Sequence, residues 1–417
     1  MAHAVRHGKG WQAKWQTLEK RPDGRHKEKS KSGFPTKNSA KDYAEDQEAA
    51  LRAGTWIDPK LGEKTLGEWW LKWLPSQDLR PNTIETYTQQ YTCHIAPRWG
   101  SVPLGAIRAV DIDTWVKGLR KGLGDSAITI IMTVMRGLLD SAAFNDLIRR
   151  SPVPPPKRGK RKSDATPPRE GAVIPLSAVE QLLVRMKYDS DRLIILMALF
   201  CGMRWSEVAG MRMRFLTLAP ARPGVPASGR YVIDAKAGAV HEDVHSHRFY
   251  GPPKSGPGRI IDLPPFLVVL LLAYVATLGD NPDVLFPDTK GKARQYDTWL
   301  NYRWRPACNG RPASVSPKGL SVREALKPVY PGLVFHDLKH TCKAIMNDLG
   351  LHSAIQDYVL GHIPPGTPGV YSHPTDQMRA DRISGLEKVW DLWMLSWSTP
   401  IPLPIALEPA YAEDRLF

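Results

Sequence analysis

The segment Cys201-Gly202-Met203-Arg204-Trp205-Ser206-Glu207 puts an arginine directly after a glycine turn, where an apolar run ends and a Ser-capped helix is expected to begin. A guanidinium held there has a rigid fork for a phosphate, close to helix amides that also favour anions. Further along, Phe335-His336-Asp337-Leu338-Lys339-His340-Thr341 sets His336 and Lys339 three apart, on one face if the segment is helical. His362, in Leu360-Gly361-His362, lies 22 residues after His340, and Tyr371 comes nine residues after His362, ahead of Ser372-His373-Pro374. Taken singly, an arginine at a helix start or a lone tyrosine is more often structural than catalytic. A second group, His241-Glu242-Asp243-Val244-His245-Ser246-His247, has metal-ligand side chains. Gly238, Gly251, Pro252 and Pro253 surround it, so a solvated loop without metal is the expectation.

In order and spacing together, Gly-x-Arg-x-Ser-Glu, His-x-Leu-(basic)-His, Leu-Gly-His and a tyrosine nine residues on resemble the tyrosine recombinases, the phage integrase family. The run Pro253-Lys254-Ser255-Gly256-Pro257-Gly258-Arg259-Ile260-Ile261-Asp262-Leu263-Pro264 resembles the hairpin that carries the family's catalytic lysine, which assigns Lys254. Asn82-Thr83-Ile84-Glu85-Thr86-Tyr87 and His94-Ile95-Ala96-Pro97-Arg98-Trp99-Gly100 resemble the family's core-DNA-binding domain, so the resemblance spans roughly residues 65 to 390.

The resemblance implies a chemistry. Tyr371 would attack a DNA phosphodiester and become joined to the 3′ phosphate. Arg204, His336, Lys339 and His362 would hold the nonbridging oxygens of a crowded, highly charged transition state. Lys254 would protonate the leaving 5′ oxygen. The bond energy stays in the phosphotyrosine, so no ATP, metal or other cofactor is expected. The implied partners are double-stranded DNA attachment sites of core and arm type, in a homotetramer on two sites, with a DNA-bending host factor and an excision factor as candidate accessories.

One position departs from the family pattern: Lys339 stands where its second arginine belongs. Lysine keeps the charge but loses the planar bidentate fork. The favoured reading is a working recombinase with Lys339 as a point charge; a non-catalytic DNA-binding protein on the same fold competes with it. A topoisomerase-like enzyme that nicks and reseals, and a metal-dependent nuclease built on the His241 to His247 group, are weaker alternatives.

Positioning these groups calls for a multidomain chain, mainly α with small β elements. The 417 residues suffice for two or three domains, and 42% hydrophobic with 24% charged residues excludes a wholly disordered or collagen-like chain. With 57 Lys and Arg against 42 Asp and Glu, the charge is +15 and the pI near 9.6, as suits a polyanionic partner such as nucleic acid. The apolar runs Leu193 to Met203 and Phe266 to Leu278 are shorter than the ~20 residues of a bilayer span, so no membrane is expected. The first residues lack a signal core, which points to the cytoplasm. Cys93, Cys201, Cys308 and Cys342 form no Cys-x-x-Cys pair.

Five segments are expected. Residues 1–60 form a basic ββα module, with a hairpin turning at Arg21-Pro22-Asp23-Gly24 and a helix from Lys37 to Leu51 capped by Thr36; by resemblance it binds arm-type sites. Residues 64–150 form a helical core-DNA-binding (SAM-like) domain, with capping boxes at Thr65 to Glu68 and Asn82 to Glu85. Residues 151–172 are a basic, Pro-rich linker. Residues 173–395 form a mixed α+β, mostly α, catalytic domain, and 396–417 a tail. Tyr371 is placed in a short helix opened by Thr367-Pro368. Trp390, Trp393, Leu395 and Trp397 are expected to dock on a neighbouring protomer.

Overall fold

The computed structural model describes residues 2–54, 56, 58–153, 171–243, 246–254, 257–280, 282–315, 322–362 and 374–397. The chain divides into two compact units, Met1–Ala165 and Thr166–Phe417.

The first unit opens with an antiparallel sheet of β1 (His3–His7), β2 (Gly10–Lys20) and β3 (His26–Phe34), with β2 in the centre. The expected hairpin is β2 and β3. At its turn the Gly24 amide donates to the Arg21 carbonyl at 2.9 Å, and Gly24 takes a φ of +79°, which costs glycine little. Strand β1 is an addition to the expected pattern, so the module has three strands before its helix. Alternation along β2 sends Ala13, Trp15 and Thr17 into the core. There Ala13 and Trp15 meet Ala40 and Ala44 of α1 (Lys37–Arg52), and Gln12, Lys14 and Gln16 lie on the opposite face. Thr36 caps α1, its hydroxyl accepting from the Ser39 amide at 3.1 Å.

Five helices follow: α2 (Leu66–Trp73), α3 (Pro81–Gln90), α4 (Ala96–Trp99), α5 (Ala109–Leu119) and α6 (Asp125–Phe144). The Thr65 hydroxyl accepts from the Glu68 amide at 3.1 Å and the Glu68 carboxylate from the Thr65 amide at 2.9 Å, a complete capping box. The box expected at Asn82 does not form. Pro81 starts α3 as its first residue, because it needs no amide partner, and Arg80 becomes the cap without a side-chain bond. A π-helical turn, Tyr91–Ile95, joins α3 to α4 just ahead of Pro97, whose missing amide breaks the regular ladder. Helix α6 is long and apolar enough to cross a bilayer, unlike the shorter apolar runs at Leu193 and Phe266. Its stripe of Ile128, Ile131, Val134, Met135, Leu138, Leu139 and Ala142 is instead buried in this unit. Each Ile, Val, Met or Leu side chain of that stripe contributes about 1.5–3 kcal/mol when fully buried.

In the second unit, α7 (Leu176–Arg185) leads to α8 (Asp189–Cys201), buried along nearly its whole length. Helix α9 (Trp205–Ala209) and strands β4 (Leu216–Ala219) and β5 (Ser228–Ile233) come next. A separate hairpin of β6 (Ala239–Glu242) and β7 (Arg248–Gly251) precedes β8 (Arg259–Leu263), which pairs with β5 in a sheet of order β4, β5, β8. Then come α10 (Pro265–Val275), α11 (Tyr296–Trp299), a second π turn at Leu300–Trp304 ahead of Pro306, and α12 (Arg305–Asn309). The short pair β9 (Ser314–Val315) and β10 (Val322–Arg323) precedes α13 (Asp337–Asp348), α14 (Ser353–Leu360) and α15 (Asp376–Leu395).

Trp390 and Trp393 do not wait for a neighbour. They are buried in their own unit, where Trp390 stacks on Phe266 at 4.2 Å and Trp397 meets Trp393 edge-on at 5.0 Å. Aromatic area of this size goes to the nearest apolar partner, here Phe200 and Phe266. Leu395, 82% exposed, stays outside that core. Most of the linker lies outside the described residues.

Candidate active site

Arg204 is the N-cap residue of α9, and Ser206 lies inside the helix rather than capping it. Glu207 does the capping: its carboxylate accepts from the Arg204 amide at 2.9 Å and from the Arg204 guanidinium at 3.3 Å. The turn before Arg204 depends on Gly202, which ends α8 with a φ of +60°. His336 is the N-cap of α13, one turn before Lys339. Asp337 anchors this corner by accepting from the Val334 amide at 3.0 Å and the Ala172 amide at 3.3 Å. Beneath it, Trp205 packs on Trp299 at 4.7 Å and on Phe335 at 5.4 Å, so one aromatic cluster supports both the Arg204 and the His336 segments.

Lys339 is 3% exposed and its ammonium points inward. It donates to the Gly202 carbonyl at 3.0 Å and to the Leu360 carbonyl through a short contact. Those carbonyls lie two residues before Arg204 and two before His362, so one side chain ties together the segments that present both. The structure thus gathers Arg204, His336, Lys339 and His362. Lys254 lies on an exposed turn after β7. That turn connects the β6–β7 pair to β8 of a different sheet, so it is not the tip of a single hairpin. Tyr371 and its expected helix lie outside the described residues.

The electrostatics follow from this crowding. Burial first, then the Arg204 charge, pushes the Lys339 ammonium down to about 7, with Glu207 opposing. Burial, then His340, Lys339 and Arg204, lowers His336 to about 4, so its imidazole is neutral near pH 7. His362 is also lowered, by burial and then by Lys339 and Arg204. Burial would raise the Glu207 carboxyl, but Arg259 outweighs it and the group stays ionised. A bound phosphate would meet fixed positive charge and neutral imidazole donors.

Glu207 and Arg259 carry no expected role from the sequence. Both are buried and charged, and Arg259 donates to Glu207 from both terminal nitrogens, at 3.0 and 2.8 Å. The alternation of β8 was a usable signal, since it turns its first residue, Arg259, to the same side as Ile261 and Leu263.

The described residues of the His241 to His247 segment do not form a simple solvated loop. Glu242 accepts from the Tyr296 amide at the start of α11 at 2.7 Å, and Arg248 pairs with Asp288 at 2.6 Å. His241 contacts the Pro252 carbonyl at 3.0 Å, and Asp243 accepts from the His247 amide at 2.8 Å. Among the described residues no three His, Cys, Asp or Glu side chains are grouped to hold a metal ion.

Residues 65–120 match the family model of the phage integrase N-terminal SAM-like domain. Over 319 residues the chain is 22% identical to a tyrosine recombinase of Pseudothermotoga lettingae, which covers 74% of this chain and 93% of that relative. Its fold is similar to that of the Tn1549 transposon integrase solved in complex with transposon right end DNA. The TM-score is 0.55 and the identity 18%, over 78% of this chain and all of that one. A second structure of that integrase, with a circular intermediate DNA, aligns with a TM-score of 0.52 at 17% identity, over 78% and 99% of the two chains.

Proposed function

We propose that this chain, which belongs to the tyrosine recombinase family, is an integrase that cuts and rejoins duplex DNA at specific sites through a 3′-phosphotyrosine intermediate, to integrate or excise an element. The observation that carries the reading is the Lys339 ammonium, bonded to the Gly202 and Leu360 carbonyls and so holding the Arg204 and His362 segments around one point.

Arg204 supplies the fork that grips a nonbridging oxygen, and the neutral His336 and His362 add hydrogen bonds without adding charge. Two of the three Lys339 protons are engaged by carbonyls, so its principal work is to position its neighbours, with its charge close by. Lys254, on its exposed turn, is the general acid for the leaving 5′ oxygen. Tyr371 is the nucleophile. The chemistry needs no metal, because the protein's own cations meet the developing charge.

The helices α2 to α6 bind the core of the site, and the three-stranded module binds arm-type sequence through the face bearing Gln12, Lys14 and Gln16. Four protomers act on two sites, in the cytoplasm where chromosomal DNA is found. A net charge of +15 makes binding steeply salt-dependent.

The test is a suicide duplex, nicked near the crossover point and incubated in EDTA with the unaltered protein or Tyr371→Phe. A covalent protein–DNA band that Tyr371→Phe abolishes is the expected result. Tight, salt-sensitive binding with no covalent band from the unaltered protein would leave a DNA-binding protein that has lost the reaction.

A further inference from the structure

We propose that Arg259 is a positioning residue for strand cleavage, which keeps the Arg204 fork available to the phosphate by sharing Glu207 with it. The inference rests on the reading of Arg204 as a phosphate clamp.

Three observations carry it. First, the Arg259 side chain is only 4% exposed and Glu207 is fully buried, yet the two form a bidentate pair at 3.0 and 2.8 Å. Second, each Glu207 oxygen has two partners. Oε1 accepts from Arg259 and from the Arg204 guanidinium, while Oε2 accepts from Arg259 and from the Arg204 amide. Third, Arg259 Nε donates to the Val359 carbonyl at 2.9 Å, and its guanidinium lies so close to Gly361 that a Cβ there would sit 2.8 Å from a terminal nitrogen. The same side chain therefore touches the segment leading to His362.

The charges explain the purpose. A buried carboxylate facing Arg204 alone would draw both arms of that guanidinium into a bidentate pair and neutralise it. With Arg259 taking the bidentate position, Arg204 keeps only one weak side-chain bond to Glu207, at 3.3 Å. The trio of two arginines and one carboxylate retains one positive charge, directed where a phosphate can meet it. Arg259 itself has its Nε and both terminal nitrogens committed to buried partners, so it acts through Glu207 rather than on DNA.

The experiment begins by exposing a pool of nicked duplexes with randomised cores to the full-length protein and recovering covalently captured members. One captured duplex is then remade with either its ordinary scissile phosphate or a methylphosphonate, which carries no charge there. On the ordinary phosphate, Arg259→Met should slow cleavage by about 100-fold, the loss typical when one fixed donor to a transition state is misplaced. On the methylphosphonate the gap between variant and unaltered protein should shrink to a few-fold, because the Arg204 charge has less to neutralise. Equal losses on both substrates would show a merely structural role and overturn the proposal, as would no loss on either. Should Arg259→Met fail to fold, Arg259→Lys, which keeps the charge but not the fork, must show the same split between substrates at a smaller size. If the unaltered protein captures no duplex, the phosphate-clamp reading of Arg204 fails, and the Arg259 role falls with it.

Discussion

The ammonium of Lys339 donates to the carbonyl of Gly202 at 3.0 Å, tying α13 to the turn that presents Arg204. An arginine in its place would carry a broader, planar group into a space that fits a compact ammonium between two carbonyls. Lysine at this position therefore has a structural logic, although it departs from the family's arginine.

Burial and the Arg204 charge, which together lower Lys339, predict a pH-dependent reaction. Lys339 loses its proton near 7 in the folded protein, so kcat/KM for covalent capture, which reports the free enzyme, should fall as pH rises through about 7. In Lys339→Arg the charge persists and this decline should vanish, whatever the absolute rate. Lys339→Met should be slow at every pH, with stability changed by about 1–3 kcal/mol because two buried carbonyls lose their donor. Capture rates measured from pH 6 to about 9 decide it; identical profiles for the lysine and arginine proteins would show that the charge is unused.

His336 gives stability an acid dependence. Its folded value of about 4 lies below the ordinary 6.5, so between those values the unfolded chain binds the proton and the folded chain does not. Stability should therefore decline as pH falls from about 6.5 towards 4, and His362, shifted in the same direction, adds to the decline. Urea midpoints across this range should change less in His336→Gln than in the unaltered protein.

Gly202→Ala should be damaging out of proportion to one methyl group. Gly202 has a φ of +60°, and an added Cβ would lie 2.7 Å from a Leu360 methyl. The backbone conformation alone costs about 1–2 kcal/mol, before any shift of Leu360. Because Gly202 and Leu360 both accept from Lys339, cleavage should fall as well as Tm. A variant with native Tm and native cleavage would show that this turn does not position Arg204.

Trp15→Ala should separate the two halves of the first unit. Trp15 is 2% exposed and packs edge-on against Tyr43 at 5.8 Å in the small core of the three-stranded module. Its loss removes about 3 kcal/mol or more from a core in which it is the largest buried side chain. The core of α2 to α6 shares none of those residues, so it should remain folded. Gel-shift titrations should then show arm-type binding lost while core-site binding persists; parallel loss of both would contradict this independence.

Local chemistry was legible in the sequence where neighbours along the chain decide it. Thr65 and Glu68 satisfy each other across three residues, Thr36 caps α1, and the alternation of Arg259 to Leu263 is a strand with its odd members inward. The order and spacing of Arg204, His336, Lys339, His362 and Tyr371 carried the family resemblance for the same reason. Other features depended on partners distant in sequence. Pro81 displaced the cap expected at Asn82 within one turn, but no local rule says that Trp390 finds Phe266 in its own unit. Nor does one say that Glu242 caps α11 from 54 residues away, or that Lys339 turns to the Gly202 and Leu360 carbonyls. Burial made those choices: a charge or an aromatic ring taken out of water must be met by whatever partner the packed chain brings within reach. Residue types and spacing thus determined which chemistry was available, and tertiary packing decided that Arg259 and Glu207 would stand behind Arg204.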